Sequence, residues 1–240
     1  MANERMNPTV LAIDTSGPVA GCAILKDGKI VHQIAMNHGL THSETIMPAV
    51  DGALSAAGLA CADVDVFAAV AGPGSFTGVR IGVCAAKGLA HAVGKPCAAV
   101  HALEALAMNF CGFDGLACPI LDARRGQVYC AAFDVSGGLP VRALADAAEP
   151  LSDFLARLPG DRRLMFVGDG VPVHADAVRA ALGERALIAP ANLRDLRADA
   201  ACVLAASRPE TWTDVAALRP IYLRAPQAER ERKKKMRNEK

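Results

Sequence analysis

Residues 9–36 read TVLAIDTSGPVAGCAILKDGKIVHQIAM, and this stretch decides the fold. Thr9–Asp14 is an apolar run rich in β-branched residues, too short for a helix and ended by Thr-Ser-Gly-Pro, which predicts a buried strand. Val19–Leu25 and Ile30–Met36 flank Lys26-Asp-Gly-Lys29, and an Asp-Gly pair between apolar runs is a strong hairpin signal. Three strands therefore come first. From Ser43 to Ala57 the spacing turns helical, with Glu44 near the start and Gly58 beyond the end. Val66–Ala71 predicts another buried strand, and Gly72–Gly78 leads into a long helix closing near Gly94-Lys-Pro96. A strand at Cys97–Val100 and a helix at Ala102–Met108 complete this part.

The pattern then restarts. Ala117–Asp122 reads as a strand, turned by Arg124-Arg-Gly126 into a second strand at Gln127–Asp134. A helix at Ser152–Leu158, a strand at Leu164–Val167, a turn at Gly168-Asp-Gly170 and helices at His174–Leu182 and Asn192–Ser207 follow. Two halves that each open with a strand ending in Asp and continuing into a hairpin predict a duplicated α/β unit. The expected division is residues 1–105, joined by part of 192–224, then 106–191, then a tail at 225–240.

Composition narrows the function classes. Seven Lys or Arg crowd into residues 229–240 (ERERKKKMRNEK), leaving 19 basic and 22 acidic residues elsewhere. The body alone is thus a poor clamp for nucleic-acid phosphates. The tail reads as a solvated segment that can add attraction to RNA but has no aromatic to stack on bases. Eight cysteines form no CxxC pair and lie mostly among Ala, Val and Ile, as small buried hydrophobes in a reducing cytoplasm do. No apolar leader and no long apolar span point to export or a membrane.

Chemistry has several candidate places. The Gly-rich loop in Ala71-Gly-Pro-Gly-Ser-Phe-Thr-Gly-Val-Arg-Ile-Gly82 opens a helix, as anion-binding loops do. The phosphate-loop pattern needs Lys and Ser or Thr after its second Gly, and Val79 and Arg80 stand there. The alternative is close packing through Gly78 and Gly82. Asp14 and Asp122 end apolar strands, where α/β proteins face a cleft, and with Gly168 and Gly170 they are the candidates for a weak nucleotide site. Turn-capping aspartates are the competing reading. Arg124 and Arg125 could meet an anion or simply be solvated. The histidines show no helical metal-ligand pair, and no G-x-S-x-G elbow is present, so neither a metal nor a catalytic residue is assigned. The helices at 43–57 and 79–93 carry apolar coats wider than one sheet needs. Ile46, Met47, Val50, Leu54, Gly78, Val79, Gly82, Val83 and Ala86 are accordingly expected at a helix-to-helix subunit interface, with a deeper core as the alternative. On that expectation Ile46→Glu or Val83→Glu breaks a complex and spares the fold.

LAIDTS at 11–16, THSETIMP at 41–48, AGPGSFTGVRIG at 71–82, LEALA at 103–107, LDARRGQVY at 121–129, VGDG at 167–170 and RPIYLR at 219–224 together resemble the TsaB (YeaZ) family. The resemblance implies an actin-like ATPase fold (ASKHA, ribonuclease H-like) of two similar βββαβα domains. It also implies a non-catalytic role in making N6-threonylcarbamoyladenosine on tRNAs that read ANN codons. In that family the transfer belongs to the related subunit TsaD, which holds a metal through a His-x-x-x-His pair. TsaB pairs with TsaD, or with a second TsaB, through the two helices of its first domain, and the ATPase TsaE joins them. No cofactor of the chain's own is implied, ATP entering at the level of the complex. TsaD-like proteins carry N-H-L-E-G-H where this chain has His101-Ala-Leu-Glu-Ala-Leu106, so Ala102 and Leu106 stand at the ligand positions. An independent ATPase or kinase-like enzyme of the same fold is the alternative, and a metallopeptidase a more distant one. The basic tail departs from the family pattern.

Overall fold

The computed structural model describes residues 7–37, 39 and 41–224. The basic tail and the expectation attached to it lie outside these residues. The first half runs β1 (Val10–Asp14), β2 (Ala20–Lys26), β3 (Lys29–Met36), α1 (His42–Ala56), β4 (Val66–Gly72), α2 (Phe76–Val93) and β5 (Cys97–His101). α3 (Ala102–Met108) leads to β6 (Leu116–Asp122), β7 (Gln127–Asp134), β8 (Val141–Pro150), α4 (Leu151–Arg157), β9 (Leu164–Val167), α5 (Val171–Leu182) and β10 (Ala186–Ile188). Two short helices, α6 (Ala191–Arg194) and α7 (Ala198–Ser207), follow.

The strands form two five-stranded sheets, ordered β3-β2-β1-β4-β5 and β10-β9-β6-β7-β8. In the first, β1 is antiparallel to β2 and parallel to β4. In the second, β6 is antiparallel to β7 and parallel to β9. Element for element the two halves repeat one α/β unit, the actin-like ATPase architecture. The first hairpin turns as its Asp-Gly pair requires, with Asp27 and Gly28 both at positive φ and Lys26 opposite Lys29.

One apolar cluster spans both halves. Val10, Ala12 and Val66 of the first sheet, Phe133 and Val167 of the second and Val135 just past β7 pack with α3 and α7, whose Leu103, Leu106, Cys202 and Leu204 are buried. α7 returns the chain to the first sheet. The opposite face of that sheet is covered by α1 and α2, and the outer face of the second by α4 and α5.

Two local expectations needed revision. The helix expected from His174 begins at Val171, with Pro172 in its first turn. The single helix expected over 192–207 is broken at Asp195–Arg197, where Asn109 Nδ2 donates to the Leu193 and Asp195 carbonyls and holds the chain in an extended kink. The third strand of the second half, β8, which the resemblance implies, left no signal along the chain itself because VRALADAAEP is alanine-rich and acidic. It lies at a sheet edge and is largely solvated, so little hydrophobic alternation marks it.

Candidate functional site

A cleft of about 470 Å³ opens where the two halves meet. Its first wall is built by the turn after β1 and the start of α2. Asp14 is buried beneath that turn and accepts from the Ser16 N–H at 2.8 Å and the Ser16 hydroxyl at 2.7 Å. Burial pushes its carboxyl up to about 6, against the lowering pull of these two hydrogen bonds. The turn in turn holds α2: Ser75 N–H donates to the Ser16 carbonyl at 2.7 Å, and the Thr15 hydroxyl to the Gly78 carbonyl at 2.7 Å. A Cβ on Gly78 would stand 2.0 Å from the Thr15 oxygen, and one on Gly82 2.6 Å from Thr15 Oγ1, which explains both glycines as close-packing residues.

The facing wall comes from the second half. Asp122 ends β6 and its carboxylate caps the next turn, accepting from the Arg124 N–H at 2.7 Å. Arg124 and Arg125 both adopt the left-handed conformation, with φ of 62° and 57°. Asp169 accepts from the Asp122 N–H at 2.9 Å, and burial raises its pKa above the usual carboxylate range. Gly168 and Gly170 pack on the backbone of β6: a Cβ would lie 2.3 Å and 3.0 Å from the Ile120 carbonyl oxygen.

The third side is the segment after α7. Cys97 and Thr213 exchange backbone hydrogen bonds, Leu218 is buried, and Ile221 N–H donates to the Ala71 carbonyl at 2.7 Å. This anchoring sets Tyr222 and Arg224 on the cleft wall, where Tyr222 stacks on Phe76 with ring centroids 5.1 Å apart. Arg80 lies over the same Phe76 ring at 3.9 Å and donates from Nε to the Tyr222 hydroxyl at 2.9 Å.

Of the four nucleotide-site candidates, only Asp122 lines this cleft. Asp14 is 2% exposed and faces inward on its own turn, and Gly168 and Gly170 answer a packing demand. The interface expectation also changes. Ile46, Val50, Leu54, Gly78, Val79, Gly82, Val83 and Ala86 are all buried against the first sheet and the turn after β1, so within this chain they belong to the core. Met47 alone of the nine is exposed. The outward face of the two helices consists instead of Met47, Pro48, Asp51, Gly52 and Ser55 on α1 and Arg80, Cys84, Gly88 and His91 on α2, with half-buried Ile81, Ala85 and Leu89 beside them. Periodicity identified the two helices but assigned their apolar stripes to the wrong neighbour. The cleft residues Phe76, Tyr129, Asp169, Tyr222 and Arg224 were missed as a group, because only the fold brings these five together; the motif strings containing them were the available signal.

A family model described as TsaD, tRNA N6-adenosine threonylcarbamoyltransferase, matches residues 30–232. The tRNA threonylcarbamoyladenosine biosynthesis protein TsaB of Bacillus subtilis is 37% identical over 222 residues, covering 92% of this chain and 96% of that protein. This chain belongs to the TsaB (YeaZ) family. A solved Pseudomonas aeruginosa protein described as similar to the peptidase YeaZ superposes with a TM-score of 0.78 at 26% identity, over 90% of this chain and all of that one. A tRNA N6-adenosine threonylcarbamoyltransferase of Jannaschia sp. is 39% identical over 188 residues, 67% of this chain and 51% of the enzyme.

In this TsaB-family chain Ala102 and Leu106, which the resemblance sets at metal-ligand positions, lie on α3 in the buried seam between the sheets. Ala102 and Leu106 are both 0% exposed. The adjacent His101 donates from Nε2 to Asp146 at 2.8 Å. Burial first, and the Arg142 charge second, push its imidazole down to about 4, so it stays neutral. Among the described residues no group of three or more His, Cys, Asp or Glu is arranged to hold a metal, and no helix is long and apolar enough to cross a membrane.

Proposed function

We propose that this chain serves tRNA threonylcarbamoyladenosine biosynthesis as a non-catalytic partner subunit, docking through the outer faces of α1 and α2 onto a TsaD-type subunit, with a TsaE-type ATPase joining the pair. The observation that carries the docking site is the outer surface of these helices. Gly52 and Gly88 are exposed within the helices, and among the described residues nothing beyond the helix's own backbone and the chain neighbours lies within 4 Å of where their Cβ atoms would stand. A helical glycine costs about 1 kcal/mol relative to alanine, and neither the turn geometry nor the packing of this chain asks for one at either place. Close approach of another helix does. Met47, 42% exposed, adds an adaptable apolar side chain on the same outward side.

The buried Ala102 and Leu106 support the non-catalytic half of the reading, since neither side chain has an atom that can ligate a cation. The test is reconstitution. Light scattering on the chain mixed with TsaD should give a stable complex, and threonylcarbamoyl transfer from threonylcarbamoyl-adenylate should need TsaD. Transfer by this chain alone, or failure to pair with TsaD, refutes the proposal.

A further inference from the structure

We propose that the rim of the inter-half cleft holds an unpaired nucleotide of an RNA strand, its base stacked on the Tyr222–Phe76 pair and its phosphates on Arg124, Arg125 and Arg224. The inference rests on the preceding reading only for which RNA is met. The chain has two tyrosines among its 240 residues, and both, Tyr129 and Tyr222, line this cleft. Tyr222 is 41% exposed although large and aromatic. It is held in place by the stack on Phe76 and the hydrogen bond from Arg80, so its ring is ordered before any ligand arrives. A fixed aromatic surface that accepts any base by its π-face, next to guanidiniums that track a backbone, is how single strands are bound.

The cleft sets three arginines against two acids. Asp122 and Asp169 each accept a backbone N–H of the wall, so both serve to tie the turn that carries the arginines. The cations lie together: Arg224 Nη1 donates to the Ala123 carbonyl at 3.4 Å, which sets its guanidinium beside the Arg124-Arg125 turn. Three guanidiniums at one edge of the stacked rings suit the phosphate of a nucleotide whose base lies on them. A paired A-form stem keeps its bases stacked away from such a platform, so the rim selects an extruded or loop nucleotide.

Fluorescence anisotropy with the full chain tests this, using an end-labelled unmodified tRNA transcript, a fully paired RNA duplex of the same length, and ATP. We expect tRNA to bind more tightly than duplex. Tyr222→Ala should weaken tRNA binding ~10-fold or more, while Tyr222→Phe, which keeps the ring, stays near the parent. Arg124→Ser with Arg125→Ser should lower the salt slope by about 2. Deleting residues 229–240 should weaken both RNAs alike and leave the preference for tRNA. Equal binding by the Tyr222→Ala variant and the parent overturns the inference. So does equal binding of duplex and tRNA, or binding of ATP with none of RNA. Pairing with TsaD, measured on the same Tyr222→Ala variant, should be intact. A chain that pairs but shows no rim-dependent RNA binding keeps the proposed function and loses this inference, and the converse result separates them the other way.

Discussion

One substitution made at two places on α2 should act with opposite signs. Gly88 lies well inside an 18-residue helix, with open space where a Cβ would be. Gly88→Ala therefore removes the helical cost of glycine and meets no clash, a gain of about 1 kcal/mol. In a chain of this size that raises Tm by roughly 2–4 °C. At Gly78 a Cβ would stand 2.0 Å from the Thr15 carbonyl oxygen. The turn and the helix must part, so Gly78→Ala should cost at least the roughly 1–3 kcal/mol of an overpacked core and lower Tm. On binding, the order changes. If a partner helix covers α2, the methyl group that helps the free chain at Gly88 must fit between two backbones, and a cost of about 1.4 kcal/mol weakens the complex about tenfold. Thermal unfolding by far-ultraviolet circular dichroism, followed by calorimetric titration with TsaD, reads both. A lower Tm for Gly88→Ala, or an affinity equal to the parent's, would refute the reasoning.

Three further outcomes follow from the geometry. Val83→Glu and Ile46→Glu place a carboxylate against the first sheet, where the parent side chains are 3% and 1% exposed, so both should unfold the chain or leave it insoluble, while Cys84→Glu on the exposed side keeps native circular dichroism and loses the partner. Asp14 has a folded pKa near 6 against 3.8 unfolded; its contribution to stability is present below pH 3.8 and is lost as pH rises through 6, a few kcal/mol at most. Asp14→Asn should flatten urea-unfolding stability between pH 4 and pH 7, and an unchanged slope would show that this carboxyl does not drive it. Thr15→Val deletes the buried hydrogen bond to the Gly78 carbonyl at similar volume and should cost about 1 kcal/mol in the same assay.

The repeat of strand, hairpin and Asp-terminated turn was legible in the sequence because each device is local. An Asp-Gly pair between apolar runs needs no tertiary context to be read, and Asp27 and Gly28 turn as read. β8 and β10 were not legible: one is a solvated edge and the other is Ala186–Ile188, three residues long, so neither has the burial that writes a period-two pattern. The apolar stripes of α1 and α2 were seen, but a stripe does not name what it packs on. Val83 and Cys84 are neighbours in sequence, and only the path of the sheet behind them decides that the first is core and the second is surface. The cleft needed still more, since Phe76, Tyr129 and Tyr222 meet only after the chain has crossed both sheets and come back.

Because Leu103 and Leu106 of α3 and Cys202 and Leu204 of α7 are buried in the seam, the halves cannot swing apart without hydrating them together with Phe133 and its neighbours. The molecule is therefore welded rather than jointed. A ligand entering the groove would find a mould of fixed width, and solution scattering should return the same radius of gyration with and without it. Such stiffness suits a part whose work is to hold another body at a set angle.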